Sequence, residues 1–102
     1  MTDDQINAAI AEACGWADIF EHLEFGLMGV APETHGCRTA VEVYAHCLNA
    51  MHEAEKVLTE EQTPVYRYEL RKLCNNCSLH TIHATASQRA EAFLRTLNLW
   101  KS

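Results

Sequence analysis

The chain is short of positive charge: 8 lysines and arginines stand against 14 aspartates and glutamates, for a net charge of −6. That balance argues against the electrostatic footing of nucleic-acid binding or attachment to an anionic membrane. It is too small to suggest a nucleic-acid mimic. Long apolar runs are missing too, and no stretch approaches the ~20 residues of a membrane span. The opening MTDDQ has neither a basic start nor an apolar stretch, so no export signal is expected there and a cytoplasmic location is. With two prolines and four glycines in 102 residues, linkers and low-complexity tracts have little to be made from, and a single domain over 1–102 is expected. The usual catalytic signatures are lacking as well. There is no G-x-G-x-x-G, P-loop or G-x-S-x-G, and His52-Glu53 has no second histidine to complete H-E-x-x-H. A non-catalytic protein is therefore expected.

What is present is an ordinary globular composition, 48% apolar and 22% charged. A chain of this length can bury a core without metal or disulfides. The cysteines number five, an odd count without an export signal, which points to reduced thiols.

Three segments share the pattern T-x-x-Q: Thr2 to Gln5, Thr59 to Gln62 and Thr85 to Gln88. In such a capping box the threonine hydroxyl accepts from the backbone N–H three residues on, and the glutamine reaches back to the cap N–H. The first box opens a helix over about 3–14 with Ile6, Ala9, Ile10 and Ala13 as its stripe, stopped by Gly15. Residues 24–30 read as a strand with Phe25 and Leu27 on one face, and its glycines suggest a bulge or a close backbone approach. Residues 32–36 read as loop. A long helix is expected over about 39–58, on the spacing of Tyr44, Cys47, Leu48, Met51, Ala54 and Leu58.

The second box competes with Thr63-Pro64, an N-cap before proline at the first helical position. A start at Thr59 would put Pro64 at the fifth position, where it removes a hydrogen bond. The preferred reading is a turn at 59–62 and a helix over 64–74, with a strand over 65–70 as the alternative. Asn75-Asn76 suits a helix exit, and 79–84 reads as a strand. The third box opens a last helix over about 86–98, with Ala90, Phe93, Leu94 and Leu97 inward and Trp100 closing the end of the core. The expected fold is α+β: one α–β–α sandwich with about four helices and a two- to three-stranded sheet.

Two candidate sites emerge. Residues 74–83, CNNCSLHTIH, place Cys74, Cys77, His80 and His83 three apart. C-x2-C is a common half of a zinc site, but on a strand residues three apart point to opposite faces, so His80 and His83 cannot both join it. A zinc set would have to draw His35 and Cys37 to Cys74 and Cys77. The plainer reading packs Cys74 as a small hydrophobe. A redox dithiol fits less well, for want of a helix N-terminus that would lower the thiol pKa. The second candidate is the row Arg67, Arg71, Lys72, Arg89 and Arg95 of the last two helices. A solvated surface is the plain reading, and an anion or nucleotide contact through Arg67, Arg71 and Arg89 is the functional one, because guanidinium forks suit phosphate. His46 and His52 read as surface residues, with Glu42 a helical partner for His46.

The stretches INAAIAEACGW (6–16), LNAMHEAEKVLTEEQ (48–62) and ATASQRAEAFLRTLNLW (84–100) resemble a family of small phage proteins carrying the phage ABA sandwich domain, named for its α–β–α layers. They cover 43 of the 102 residues. The resemblance implies a compact sandwich encoded by a phage or prophage. It implies no activity and carries no functional residue, because the shared stretches are the amphipathic helices. The chain departs from the family's usual look at 33–46 and 73–80. Three expectations follow: a phage accessory protein that binds a host or phage protein in the host cytoplasm, a counter-defence binder, as a homo-oligomer in one form, that sequesters a nucleotide signal, or a small zinc protein.

Overall fold

A computed structural model describes residues 1–24, 26–32, 38–74 and 84–101. Helix α1 spans Asp3–Ala13, followed by strands β1 (Ala17–His22), β2 (Gly26–Val30) and β3 (Arg38–Ala40), then helices α2 (Leu48–Glu55), α3 (Gln62–Leu73) and α4 (Ala86–Thr96). Among the described residues the chain is thus a small α+β fold of four helices and one three-stranded antiparallel sheet, in the order β1-β2-β3.

All three capping boxes form. Thr2 accepts from Gln5 N at 3.2 Å while Gln5 Oε1 accepts from Thr2 N at 2.9 Å. The pair at Thr85 and Gln88 measures 3.1 and 2.9 Å. Helices α1 and α4 also end alike. Trp16 N donates to Ala11 O at 3.0 Å and Gly15 N to Glu12 O at 3.1 Å. At the other helix Leu99 N donates to Leu94 O at 2.8 Å and Asn98 N to Arg95 O at 3.1 Å. Each is a Schellman motif with a left-handed residue after the cap, Gly15 at φ 96° and Asn98 at φ 60°. Gly15 is hard to replace, because a Cβ there would also meet Pro32 Cγ at 3.1 Å.

The second box settles where α3 begins. Thr59 accepts from Gln62 N at 3.2 Å, and Thr63 N donates to Thr59 O at 3.0 Å. Thr59 is therefore the effective cap, and the expected start at Pro64 is corrected to Gln62. Pro64 cannot donate to the Glu60 carbonyl, so a single missing bond separates the capped turn from the regular helix. One lost bond is a smaller penalty than a forfeited box that satisfies two donors.

The long helix expected over 39–58 is two elements joined by an extended connection. Its first residues form β3, and Val41 N continues the ladder by donating to Leu27 O at 3.0 Å. Thr39, Val41 and Val43 alternate and are β-branched, which suits a strand against β2 better than a helix. Cys47, at φ −125° and ψ 109°, breaks any helical path into α2. The Ala45 N–H, which a helix would have used, is satisfied by the buried Asn7 Oδ1 of α1 at 3.0 Å. His46 accordingly meets Asp3 Oδ2 at 2.7 Å, rather than Glu42 one helical turn away.

Strand β1 was not foreseen. Its register against β2 shifts between Ala17 and Phe20, where three steps on β1 match two on β2. Asp18 takes φ 51° within this bulge. Gly29 makes the bulge fit: a Cβ there would lie 3.1 Å from Ile19 Cγ1 and 3.2 Å from Ala17 O. The expected glycine signal of bulge or close approach is therefore realised on the partner strand. The strand expected over 79–84 has residues 79–83 outside the described residues, as does Phe25.

The core is chiefly helical. Helix α4 lies at its centre, with α3, α1 and α2 packed on it, and the sheet joins the helices through α1 and β1. Phe93, Ile10, Met51 and Leu94 are the largest fully enclosed side chains. Ala11, Ala54, Ala90 and Ala92 are equally enclosed and let the helix axes approach. Ile19 and Leu27 of the sheet and Trp100 near the C-terminus pack against this cluster. Because α4 is the hub, its cap is expected to matter: Thr85→Ala should cost about 1 kcal/mol in urea unfolding, and Thr85→Ser should restore most of it.

Candidate functional site

Helices α3 and α4 run in roughly the same direction. Tyr66 and Arg89, near their starts, share one carboxylate, and Lys72 and Arg95, near their ends, line one cavity. At the starting end the two helices and α2 enclose a cleft of about 300 Å3 lined by Glu55, Thr63, Tyr66, Arg67, Leu70 and Arg89. Glu55 Oε1 accepts from the Tyr66 hydroxyl at 2.8 Å and from Arg89 Nη1 at 3.2 Å. Arg89 Nε also donates to Ala84 O at 3.3 Å. With side-chain exposures of 13% for Arg89 and 22% for Glu55, the pair is largely withdrawn from water.

The three arginines singled out by the sequence thus separate. Arg67 and Arg89 line the same cleft, while Arg71 lies one turn further along α3 on the exposed side. Arg89 is already held by Glu55, so the cleft offers a phosphate one guanidinium and one opposing carboxylate. Sequence reasoning missed Glu55 and Tyr66 as the partners of Arg89. Nothing in the spacing marks a glutamate next to the core residue Ala54 as an inward acceptor.

The outer face of α3 has a different character. Tyr68 is 62% exposed and Val65 46%. Lys72 Nζ lies 4.9 Å from the Tyr68 ring centroid and 3.3 Å from Glu69 Oε2. With Arg67 and Arg71, this helix carries three of the chain's eight cations within twelve residues. Next to its end, Arg95 stacks 5.5 Å over the Trp100 ring. A basic and aromatic helix face therefore stands on an acidic protein.

Of the candidate metal residues, Cys74 is 3% exposed, has a free thiol and packs in the core. Cys77, His35 and Cys37 lie outside the described residues. Among the described residues no group of three or more His, Cys, Asp or Glu is placed to hold a metal ion.

Three described groups have displaced proton affinities, all upward. Burial raises the Cys14 thiol. Burial first, then the neighbouring Cys14, pushes the Tyr44 hydroxyl up to about 12 from 10.0. Burial and then the Glu55 carboxylate raise Tyr66 further still. These shifts hold the groups protonated, the opposite of activating a nucleophile. They also set a pH dependence. A proton held more tightly in the folded chain than in the unfolded one contributes stability that is complete below the unfolded pKa and lost as pH rises through the folded value. In a Tyr68→Phe variant, which keeps only Tyr44 and Tyr66, the melting temperature is therefore expected to hold to about pH 9 and fall between pH 10 and 12, with tyrosinate absorbance appearing together with unfolding. Tyrosinate appearing near pH 10 in that variant while it is still folded would contradict the packing of both hydroxyls.

No family model, curated protein or solved structure matches the chain. No described helix is long and apolar enough to cross a membrane.

Proposed function

We propose that this is a non-catalytic accessory protein of phage type that acts by binding an acidic host or phage protein in the host cytoplasm through the outer face of α3. The supporting observation is that face itself: Tyr68 and Val65 exposed, with Arg67, Arg71 and Lys72 around them, on a chain of net charge −6. Tyrosine and arginine are the residue types that most often anchor interfaces. A local basic patch on an acidic body steers an acidic surface to one orientation and repels it elsewhere. The phage origin rests on the resemblance of the helical stretches alone.

The test is affinity capture after expression in a bacterial host, comparing the wild type with the double variant Tyr68→Ala/Arg71→Glu. Both positions are exposed, so the variant should melt like the wild type. The expected result is an acidic protein recovered in stoichiometric amount with the wild type and at least tenfold less with the variant. Equal recovery by both counts against the reading.

A nucleotide ligand is a second reading, favoured by Arg67 and Arg89 sharing one cleft. Glu55 weighs against it, since a phosphate must displace or repel that carboxylate. A ligand at 100 times its Kd adds ~2.7 kcal/mol of stability, so thermal shift against a nucleotide panel decides the matter, and a flat response is expected. Metal analysis of the purified protein, with and without Cys77→Ser, tests the zinc reading; zinc far below one equivalent is expected.

A further inference from the structure

A second cavity, of about 330 Å3, lies on another side of the molecule, between the end of α1, the 42–47 connection and the first turns of α2. Its walls are Trp16, Tyr44, Cys47 and Ala50, and Glu42 and Glu53 stand among its lining residues. Each wall has a structural reason to be there. The Schellman motif that ends α1 places Trp16 directly after Gly15. The Asn7 bond to Ala45 N pins the connection that carries Tyr44, which is 5% exposed. Trp16 and Tyr44 line the cavity together, and Glu42 is close enough to Tyr44 to disfavour its ionisation. Among the described residues no lysine, arginine or histidine lines the cavity. Lys56 pairs with Glu53 at 2.9 Å, both side chains being about 70% exposed. Glu53 is thus paired with Lys56, whereas Glu42 acts on the Tyr44 hydroxyl within the cavity wall and is the carboxylate to test.

We propose that this cavity binds a small organic cation, an ammonium carrying alkyl groups. An indole face attracts such a cation through its quadrupole. The aromatic and apolar walls cover its alkyl groups, and the carboxylates balance its charge. Two carboxylates and a thiol are too sparse for a metal ion, and the same carboxylates repel a phosphate. The inference does not depend on the α3 reading, because the two sites share no residue.

Trp16 and Trp100 are the only tryptophans, so Trp100→Phe leaves Trp16 as the sole fluorescent indole. The experiment titrates that variant with choline at constant ionic strength, and in parallel with 3,3-dimethylbutan-1-ol, its neutral counterpart of the same shape. The expected result is a saturable change in Trp16 emission with choline, at least tenfold weaker binding of the alcohol, and at least threefold weaker choline binding after Glu42→Gln. If Trp100→Phe does not fold, the two indole N–H resonances of the wild type give the same reading, with Trp100 as internal control. Absence of saturation by choline, equal binding of the neutral alcohol, or indifference to Glu42→Gln would each overturn the proposal.

Discussion

Phe93→Ala is expected to remove about 3–5 kcal/mol of stability, the largest loss from any single truncation among the described residues. Phe93 is fully enclosed on α4, the helix on which the other three pack. Its ring is surrounded by elements that are themselves held in place, so the void can collapse only in part. A domain of this size has roughly 5–15 kcal/mol of stability in total. The variant should therefore melt on the order of 20 °C lower, or fail to fold at all. Phe93→Leu, nearer in volume, should lose about 1.5 kcal/mol or less. Val65→Ala, on the exposed face of α3, should change stability by no more than about 0.5 kcal/mol. Urea unfolding of the three variants checks the order. A Phe93→Ala protein that unfolds like the wild type would mean α4 is not the hub.

The second large effect is expected at Glu55. Its Oε1 is the acceptor for both the Tyr66 hydroxyl and Arg89 Nη1. Glu55→Ala takes the Glu55 carboxylate away from a withdrawn guanidinium and removes the acceptor of the Tyr66 hydroxyl. Such a loss costs about 2–4 kcal/mol, below the range for fully buried pairs because both side chains keep some contact with water. Glu55→Gln keeps an acceptor but no charge and should lose about half as much. The pair replacement Glu55→Leu/Arg89→Met removes both charges together, and its cost should fall well short of the sum of the single changes. A double-mutant cycle by urea unfolding measures this. Additive costs would mean that the two side chains do not act as a unit.

Where the sequence carries a local physical signal, it is legible. The three T-x-x-Q boxes each satisfy two donors at short range; those at Thr2 and Thr85 open helices as expected, and the one at Thr59 forms against the preferred start at Pro64. The apolar positions of α1 and α4 follow from period alone. The strand at 24–30 was read from alternation and glycine content. Where the expected helix at 39–58 fails, partners distant in the chain decide it. The segment from Thr39 has apolar spacing that fits a helix, yet β2 supplies a ladder for it and Asn7 supplies an acceptor for Ala45 N. The alternating Thr39, Val41 and Val43 were the available signal. At α3 the rule against proline inside a helix was weighed more heavily than the box, whereas the protein keeps the box and forgoes one bond. The site was half legible. The cations of α3 and α4 are visible in the sequence. That Arg89 turns inward to Glu55, while Arg71 stays in water, depends on how three helices meet. Trp16 and the connection that carries Glu42 and Tyr44 are distant in the chain and have no motif to unite them.

The account turns on the outer face of α3 being the surface that meets a partner. The direct measurement is photo-cross-linking in the host with p-benzoylphenylalanine in place of Tyr68, compared with the same group in place of His52 on α2. The account predicts a discrete adduct with an acidic protein from position 68, abolished by Arg71→Glu, and none from position 52. No adduct from position 68, or the same adducts from both positions, would contradict it.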